Sequence, residues 1–237
     1  MSTEDHPQSD DRWRDRPPLP EMPEGWRMER PVGALHRAAE TVEYEVFLES
    51  GLCRESQHNR VEEFDPWRDI SSFAAVVSDE DEIQGVVRLM FGRFEELQVG
   101  LFERDEPWPP DPLLEFGSLA VRREARKTWT MGWLFRYVWQ EAARLGAGGP
   151  VAVTEEWTVD LVNDTFPVGL RKLGAGKEYM GGECFAVGVT LEGMLDRSNS
   201  WPDWFHWGTD TIDLREVADD TVRELVIDLR EKMPDRS

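Results

Sequence analysis

The stretch between residues 113 and 145 constrains the fold more than any other part of the chain. An apolar run from about 114 to 121 predicts a buried strand, and a basic turn follows it. After the turn, apolar residues recur with the spacing of an amphipathic helix, at Met131, Leu134, Phe135, Val138, Ala142 and Leu145. A further apolar run at 151–154 completes a strand, helix, strand unit. Such a unit predicts a parallel crossover in a mixed α/β layer.

The turn itself carries four basic residues, Arg122, Arg123, Arg126 and Lys127, opposed by Glu124. They stand out because the whole chain holds 27 Lys and Arg against 48 Asp and Glu, a formal net charge of −21. A helix N-terminus offers unpaired backbone N–H groups and a partial positive charge, so we predict that this turn binds an anion such as phosphate. The alternative is a solvated polar corner without a ligand.

Length, charge and cysteine content set outer limits on function. A chain of 237 residues predicts one domain with extensions. Because an acidic surface repels phosphate backbones, we expect no nucleic-acid partner. No apolar run approaches the roughly 20 residues of a membrane span, and the N-terminus is acidic, so we expect a cytoplasmic protein without a membrane span. Two cysteines, Cys53 and Cys184, and four scattered histidines predict neither a disulfide framework nor a metal site.

Composition divides the chain into three parts. Residues 1–30 are rich in proline and mixed charge, which predicts a disordered or loosely packed segment. Residues 31–191 carry the periodic elements and should form the folded domain. Residues 192–237 hold three tryptophans and an amphipathic helix, which we expect to pack on that domain. The alternative is that this last helix faces a partner.

Shorter apolar runs on both sides of the central stretch predict the remaining elements. Between 158 and 174 apolar residues have helical spacing, but Pro167 interrupts it, so we expect two short helices or a kink. Residues 92–112 form a long proline-rich excursion, and such loops often border a functional site. Predicted helices lie at 35–50 and 131–145, and predicted strands at 73–77, 83–91, 114–121, 151–154, 178–180 and 184–191.

Five short strings follow one another along residues 35–190. They are VEYEVFLESGL (42–52), VEEFDPWRD (61–69), IQGVVRLM (83–90), LEFGSLAVRREAR (114–126) and GLRKLG (169–174). In this order they resemble the GNAT superfamily of N-acyltransferases, most of all the branch with the acyl-homoserine-lactone synthases (autoinducer synthases) and the N-acyl amino acid synthases. The resemblance implies a GNAT-like α/β fold, a three-layer structure in which a mixed sheet is flanked by helices, followed by a C-terminal helical extension.

The resemblance also implies an acceptor site. Phe47 matches the aromatic residue after the first helix, Asp65 the first acid of an EFD-type motif, and Arg88 the arginine that ends a G-x-x-R strand. Asp65 and Arg88 would bind the amino and carboxylate ends of an amino-acid-like acceptor. The alternative for both is an ordinary surface charge or a salt bridge.

Glu115 is the candidate catalytic base, since it matches the glutamate that opens the E-x-x-R strand of the family. A carboxylate at the start of a buried strand is desolvated, and desolvation raises its pKa toward the range useful for a base. The alternative is that Glu115 faces water or pairs with Arg88.

The remaining assignments concern the acyl donor. Arg122, Arg123, Arg126 and Lys127 would take its phosphate or the acidic face of a carrier protein, and Gly132 is what remains of the glycine-rich pyrophosphate loop of the family. Such a reduced loop favours a phosphopantetheine arm on acyl carrier protein over free coenzyme A. Elsewhere, Arg171 and Lys172 match a basic pair thought to meet that carrier protein.

Two departures from the family affect the choice of reaction. The arginine expected four residues before Phe47 is Glu43, and the arginine of E-x-x-R is Ser118. Both positions belong to the polar set that autoinducer synthases use around S-adenosylmethionine and catalysis. These departures favour a different N-acyltransferase over a true lactone synthase.

The sequence thus predicts an N-acyltransferase that moves an acyl group from acyl-ACP or acyl-CoA to the amine of a small amino-acid-like acceptor, without a tightly bound cofactor. Three alternatives stay open. They are an acetyl-CoA-dependent N-acetyltransferase, a divergent acyl-homoserine-lactone synthase, and a catalytically inactive GNAT-like binding or regulatory module.

Overall fold

A single eight-stranded sheet forms the centre of the computed structural model, which describes residues 19–196 and 201–232. The strands are β1 (Arg27–Glu29), β2 (Ser71–Val77), β3 (Ile83–Gly92), β4 (Leu113–Val121), β5 (Pro150–Glu155), β6 (Arg171–Lys172), β7 (Lys177–Tyr179) and β8 (Gly182–Gly188). Their order in the sheet is β1-β2-β3-β4-β5-β8-β6, and β7 pairs with β8.

The described residues form six α-helices and four 3₁₀ helices besides the strands, and the last three α-helices follow the last strand. The α-helices are α1 (Ala34–Glu49), α2 (Thr130–Leu145), α3 (Glu156–Thr165), α4 (Leu191–Asp196), α5 (Pro202–Thr209) and α6 (Asp220–Lys232). The 3₁₀ helices are Glu62–Ile70, Phe94–Glu96, Gln98–Leu101 and Arg123–Lys127. No helix in the described ranges combines the length and apolar character that crossing a membrane requires.

The predicted α/β architecture is confirmed. β4 and β5 run parallel on either side of the α2 crossover, and the other strand pairs are antiparallel. Side chains alternate across β2, so that Ala74 and Val76 are buried in the core cluster that contains α2, whereas Phe73 and Ala75 are buried in the cluster that contains α1. The sheet is therefore the middle of three layers.

α2 follows the sequence pattern closely. Its buried residues Leu134, Val138 and Ala142 form the predicted apolar stripe against the sheet. The helix ends at Gly146, which has a left-handed backbone (φ 68°, ψ 32°) that glycine adopts without steric cost.

The expectation of two short helices or a kink around Pro167 was wrong. A single helix, α3, ends at Thr165, and Phe166 is extended (φ −133°, ψ 141°). A residue before proline is disfavoured in the helical region, so the chain leaves α3 and continues into the edge strand β6.

The first and last described elements also pack on the domain. Residues 1–18 of the predicted loose segment lie outside the described residues, but residues 27–29 form β1 and pair with β2, which the proline-rich composition did not lead us to expect. At the other end, Val222 and Val226 of α6 are buried in the same core cluster as α2. The division into three parts stays a prediction.

Candidate active site

The sheet opens between its two parallel strands. β4 pairs with β5 at Leu114↔Pro150 and Glu115↔Val151, after which β4 continues along β3 and β5 continues along β8. The strands diverge from that point. Their separation leaves a gap through the middle layer of the molecule.

A bulge in β4 adjoins this gap. Arg88 of β3 pairs with Ser118 and Leu89 pairs with Phe116, so Gly117 between them has no partner. A Cβ atom at Gly117 would lie 2.5 Å from Cε of Met90, which explains why glycine occupies the bulge. The bulge turns the following residues of β4 away from their earlier register.

A cavity of about 300 Å³, the inner cavity, fills the gap. Its walls come from both faces of the sheet, with Phe116 and Phe135 on the α2 side and Phe47, Gln98 and Tyr179 on the other. The inner cavity therefore passes through the sheet.

A second cavity of about 450 Å³, the outer cavity, adjoins it and shares Phe47, Leu119 and Met131 as wall residues. The outer cavity reaches the start of α2, where Arg126 and Gly132 line it. The two cavities together form a cleft that runs from the basic turn to the β4–β5 gap.

Of the four basic residues of the turn, Arg126 borders the cleft. Arg122, Arg123 and Lys127 are not among its lining residues. The Arg126 side chain is 44% exposed, and its Nε donates a hydrogen bond to the Val121 carbonyl at 3.2 Å. One cation of the predicted cluster is thus placed at the cleft.

Acids of α1 oppose the basic turn. Glu45 lies 3.0 Å from Arg122, and Glu49 lies 3.4 Å from Arg123 and 3.5 Å from Arg126. These exposed pairs compensate part of the positive charge. An anionic ligand at the cleft would have to compete with Glu49 for Arg126.

Gly132 makes room for a tryptophan. A Cβ atom there would lie 2.3 Å from Nε1 of Trp129, so the glycine permits the indole to pack against the first turn of α2. Trp129 lines the outer cavity, and its buried Nε1 has no hydrogen-bond partner among the described residues. This N–H is a free donor at the start of α2.

Glu115 is completely buried beside the excursion that precedes β4. The Val99 backbone N–H donates to its Oε2 at 3.3 Å, and its Oε1 has no partner in the part of the chain that is described. Burial raises the pKa of Glu115 to about 8, against the lowering effect of the Val99 and Gln98 backbone. A carboxyl group with this pKa is largely protonated at pH 7.

Two polar residues connect the surroundings of Glu115 with the inner cavity. Gln98 Nε2 donates to the Tyr179 hydroxyl at 2.8 Å, and both side chains line the cavity. Burial raises the pKa of Tyr179, with the negative charge of Glu115 a smaller contribution in the same direction. Gln98 Oε1 is buried and has no partner among the described residues. Hydrogen-bonding capacity is therefore left open at this end of the cleft.

Arg88 is committed to Glu43 and does not line the cleft. Its Nε and terminal nitrogen donate to the two oxygens of Glu43 at 2.9 and 2.5 Å, and both side chains are almost completely buried. Ser118 donates a short hydrogen bond to the same carboxylate. The two sequence departures, Glu43 and Ser118, thus bond to each other, and Glu43 also pairs with Arg88. The suggested Glu115–Arg88 pair does not form among the described residues.

Asp65 is also held away from the cleft. Arg60 bonds both carboxylate oxygens at 2.9 Å, which lowers the pKa of Asp65, and Asp65 does not line either cavity. Phe47 is the proposed acceptor-site residue that does line both cavities.

Arg171 and Lys172, at the edge of the sheet, are exposed, and each forms an ion pair with a glutamate. Arg171 lies 2.9 Å from Glu106, and Lys172 lies 2.6 Å from Glu156. Neither cation lines the cleft. Their assignment to a carrier protein stays a prediction.

Solved structures of the same architecture include several acyltransferases. The N-acyl amino acid synthase FeeM from uncultured soil microbes aligns with a TM-score of 0.55 at 11% identity, over 73% of this chain and 94% of its own. The CoA-dependent acyl-homoserine lactone synthase BjaI gives 0.54 at 14%, over 70% and 82%. TofI, in a ternary complex with an inhibitor and MTA, gives 0.54 at 21%, over 76% and 98%. No protein-family model and no curated protein matches the chain.

The chain has the GNAT acyltransferase fold. The resemblance drawn from the five sequence strings is confirmed at the level of the fold. Within this GNAT fold, sequence reasoning missed Gln98, Trp129 and Glu155 as cleft residues. A signal existed for Gln98, because it lies in the excursion expected to border a site. None existed for Glu155, which lies at the end of an otherwise ordinary strand.

Proposed function

We propose that this chain is an N-acyltransferase that moves an acyl group from a thioester, carried by acyl carrier protein or coenzyme A, to the amine of a small acceptor. The observation that carries the proposal is the cleft through the sheet, with a cation and a helix start at one end and a buried carboxyl group near the other. The similarity of the chain's fold to solved N-acyl amino acid and acyl-homoserine lactone synthases supports acyl transfer.

The donor would enter at the outer cavity. The start of α2, the Trp129 indole N–H and Arg126 favour a phosphate group there. Beyond Glu115, backbone groups on the β5 side of β4 have no β5 partner, so they suit the amide groups of a phosphopantetheine arm. Arg171 and Lys172 remain the proposed contact for a carrier protein.

The chemistry is a direct attack of the amine nitrogen on the thioester carbonyl carbon. The C–N bond forms, the C–S bond breaks, and one proton passes from the amine to solvent or to a base while the thiolate takes up another. Glu115 lines neither cavity, so it would act as the base through an intervening water molecule, and its Oε1 lacks a partner among the described residues. Tyr179 on the cavity wall supplies a hydroxyl proton to the leaving sulfur.

The test is amine-dependent release of free thiol from acyl-CoA and from acyl carrier protein loaded with the same acyl chain. Product identity is checked by mass spectrometry. We expect an N-acylated product with the wild-type chain, a loss in Glu115→Gln, and full activity in the control Asp65→Asn. Absence of thiol release with both donors, together with no change in melting temperature on adding either donor, would instead identify a non-catalytic GNAT-fold module.

A further inference from the structure

The formal charge on the wall of the inner cavity is negative. Glu155 is its one lining residue with a formal charge at neutral pH, and no Lys, Arg or His is among the residues that line it. The other polar wall residues are neutral at that pH. They are Gln98, Ser118, Thr154, Thr158, Tyr179 and Cys184.

The cation predicted to bind the acceptor, Arg88, is paired with another residue. Arg88 is 2% exposed and its guanidinium bonds both oxygens of Glu43. At the far end of the cleft, Arg126 is paired with Glu49. A carboxylate inside the inner cavity would find no cation to pair with.

Glu155 is held in a fixed position at the cavity wall. It is the last residue of β5 and precedes α3, and its Oε2 accepts a hydrogen bond from Trp157 Nε1 at 2.6 Å. A Cβ atom at Gly182 would lie 2.4 Å from Oε1, so the glycine leaves space for this carboxylate. The cavity wall thus includes a positioned anion.

A second observation favours a ligand that donates a hydrogen bond to the cavity wall. Gln98 lines the cavity, and its Oε1 is buried and accepts no hydrogen bond from any described residue. An amide oxygen is an acceptor, so it is satisfied by an N–H group and not by a carboxylate. The rest of the wall is mainly apolar, with Phe47, Phe64 and Met180 among its members.

From these observations we infer that the acceptor is a primary amine with an apolar body and no carboxylate group, and that Glu155 selects it by charge. This inference rests on the proposed acyl transfer and names its acceptor class. It replaces the amino-acid-like acceptor, since that expectation needed Arg88 to be free for a carboxylate.

Charge repulsion determines how strongly the cavity should prefer an amine over the corresponding amino acid. A carboxylate placed beside Glu155 without a cation is repelled, and the half-buried position of Glu155 lets solvent screen part of that repulsion. We therefore expect the amine to bind at least about tenfold more tightly than the amino acid that differs from it by the carboxylate.

The experiment uses matched pairs of probes, phenethylamine with phenylalanine and pentylamine with norleucine. Binding to the full-length protein is measured by calorimetry, and N-acylation of each probe is followed in parallel by mass spectrometry. Tighter binding of both amines supports the inference. Equal or tighter binding of the two amino acids overturns it.

Variants test the role of Glu155. Glu155→Gln should reduce the preference for the amine to within about threefold, because the selecting charge is lost. Glu156→Gln is the matched control, since Glu156 is the adjacent, exposed carboxylate and does not line the cavity. A full preference retained in Glu155→Gln would overturn the assignment to this residue.

The two proposals fail in different ways. N-acylation of phenylalanine as fast as that of phenethylamine would overturn the acceptor class and leave acyl transfer in place. Selective amine binding without product from any probe and either donor would overturn acyl transfer and still support the charge preference of the cavity.

Discussion

Two buried carboxyl groups, Glu43 on α1 and Glu115 on β4, differ in whether other groups pair with them. Glu43 is 0% exposed, and Arg88 and Ser118 satisfy its oxygens. Glu115 is equally buried, but its Oε1 has no partner among the described residues and its pKa rises to about 8. Burial alone does not separate a structural acid from a chemical one. The difference lies in whether partners balance the desolvation.

The same contrast extends from the two residues to their regions. Around Glu43, the Arg88 guanidinium lies over the rings of Phe64 and Phe73, at 4.9 and 4.6 Å from their centroids. This region is closed and internally paired. The cleft region keeps unpartnered atoms on Gln98 and Trp129 as well as on Glu115. Groups left unsatisfied in a folded chain are the ones available to a ligand.

The largest effect is expected where the pairing is complete. Glu43→Gln removes one charge from the buried Glu43–Arg88 pair and should lower the free energy of unfolding by about 3–5 kcal/mol, because a buried guanidinium is left uncompensated. Urea unfolding followed by tryptophan fluorescence measures it. The double variant Glu43→Gln with Arg88→Met should recover part of the loss. A single-variant loss below about 1 kcal/mol would show that the pair is not closed off from water.

The same kind of substitution at Glu115 should raise the free energy of unfolding at pH 8 instead of lowering it. The folded-state pKa of about 8 exceeds the ordinary value of 4.5, so the contribution of Glu115 to wild-type stability is largest below pH 4.5 and decreases as the pH rises to 8. Glu115→Gln removes this decrease and should be more stable than wild type at pH 8 by on the order of 3 kcal/mol. The comparison is made by urea unfolding at pH 4.5 and pH 8. Equal pH dependence in both proteins would contradict the raised pKa.

Activity should fall in that same variant although its stability rises. Loss of a general base typically costs about 10²-fold or more in rate. We therefore expect Glu115→Gln to lower kcat for amine-dependent thiol release by at least about that factor with little change in the KM of the donor. In wild type, the rate should rise as Glu115 ionises through about pH 8. A fully active variant would remove Glu115 from the chemistry.

A smaller effect is expected at the donor end of the cleft. Arg126→Glu reverses a partly exposed cation at the outer cavity and should raise the KM of acyl-CoA about fivefold to tenfold, with the effect shrinking at high salt. Arg123→Glu is the control, because Arg123 pairs with the same Glu49 but does not line the cleft. Equal KM values in the two variants would place the donor elsewhere.

The smallest effect is expected at an exposed pair. Asp65→Asn breaks the bidentate contact with Arg60 at the surface and should change the free energy of unfolding by less than about 1 kcal/mol. The change in free energy of unfolding of Asp65→Asn is the reference for that of Glu43→Gln in the same urea titration. A loss as large as that of the buried pair would mean that exposure does not explain the contrast.

Local periodicity was sufficient for much of the fold. The apolar stripe of α2 and the run that became β4 are properties of consecutive residues, so the sequence predicted both within one or two positions. The sequence showed that Pro167 would interrupt the helix, but not what would follow. The chain after Phe166 pairs with β8 instead of forming a second helix. Strand pairing across distant segments is not encoded in a local pattern.

The candidate site shows the same limit more strongly. Glu115 was identified because it matches the glutamate that opens the E-x-x-R strand of the family and because a carboxylate at the start of a buried strand is desolvated. The partner of Arg88 lies 45 residues away, and that of Gln98 lies 81 residues away, so no local sequence pattern could pair them. The β4–β5 gap arises where backbone hydrogen bonds stop, which side-chain patterns do not report.

The most direct test of the account is the titration of the Glu115 carboxyl group in the folded protein. Infrared difference spectra between wild type and Glu115→Gln isolate its protonated C=O band as the pH is raised. The account predicts that this band persists through neutral pH and disappears with a midpoint of about 8. A midpoint near the ordinary 4.5 would mean that Glu115 is solvated or paired like Glu43, and would contradict its proposed role as the base.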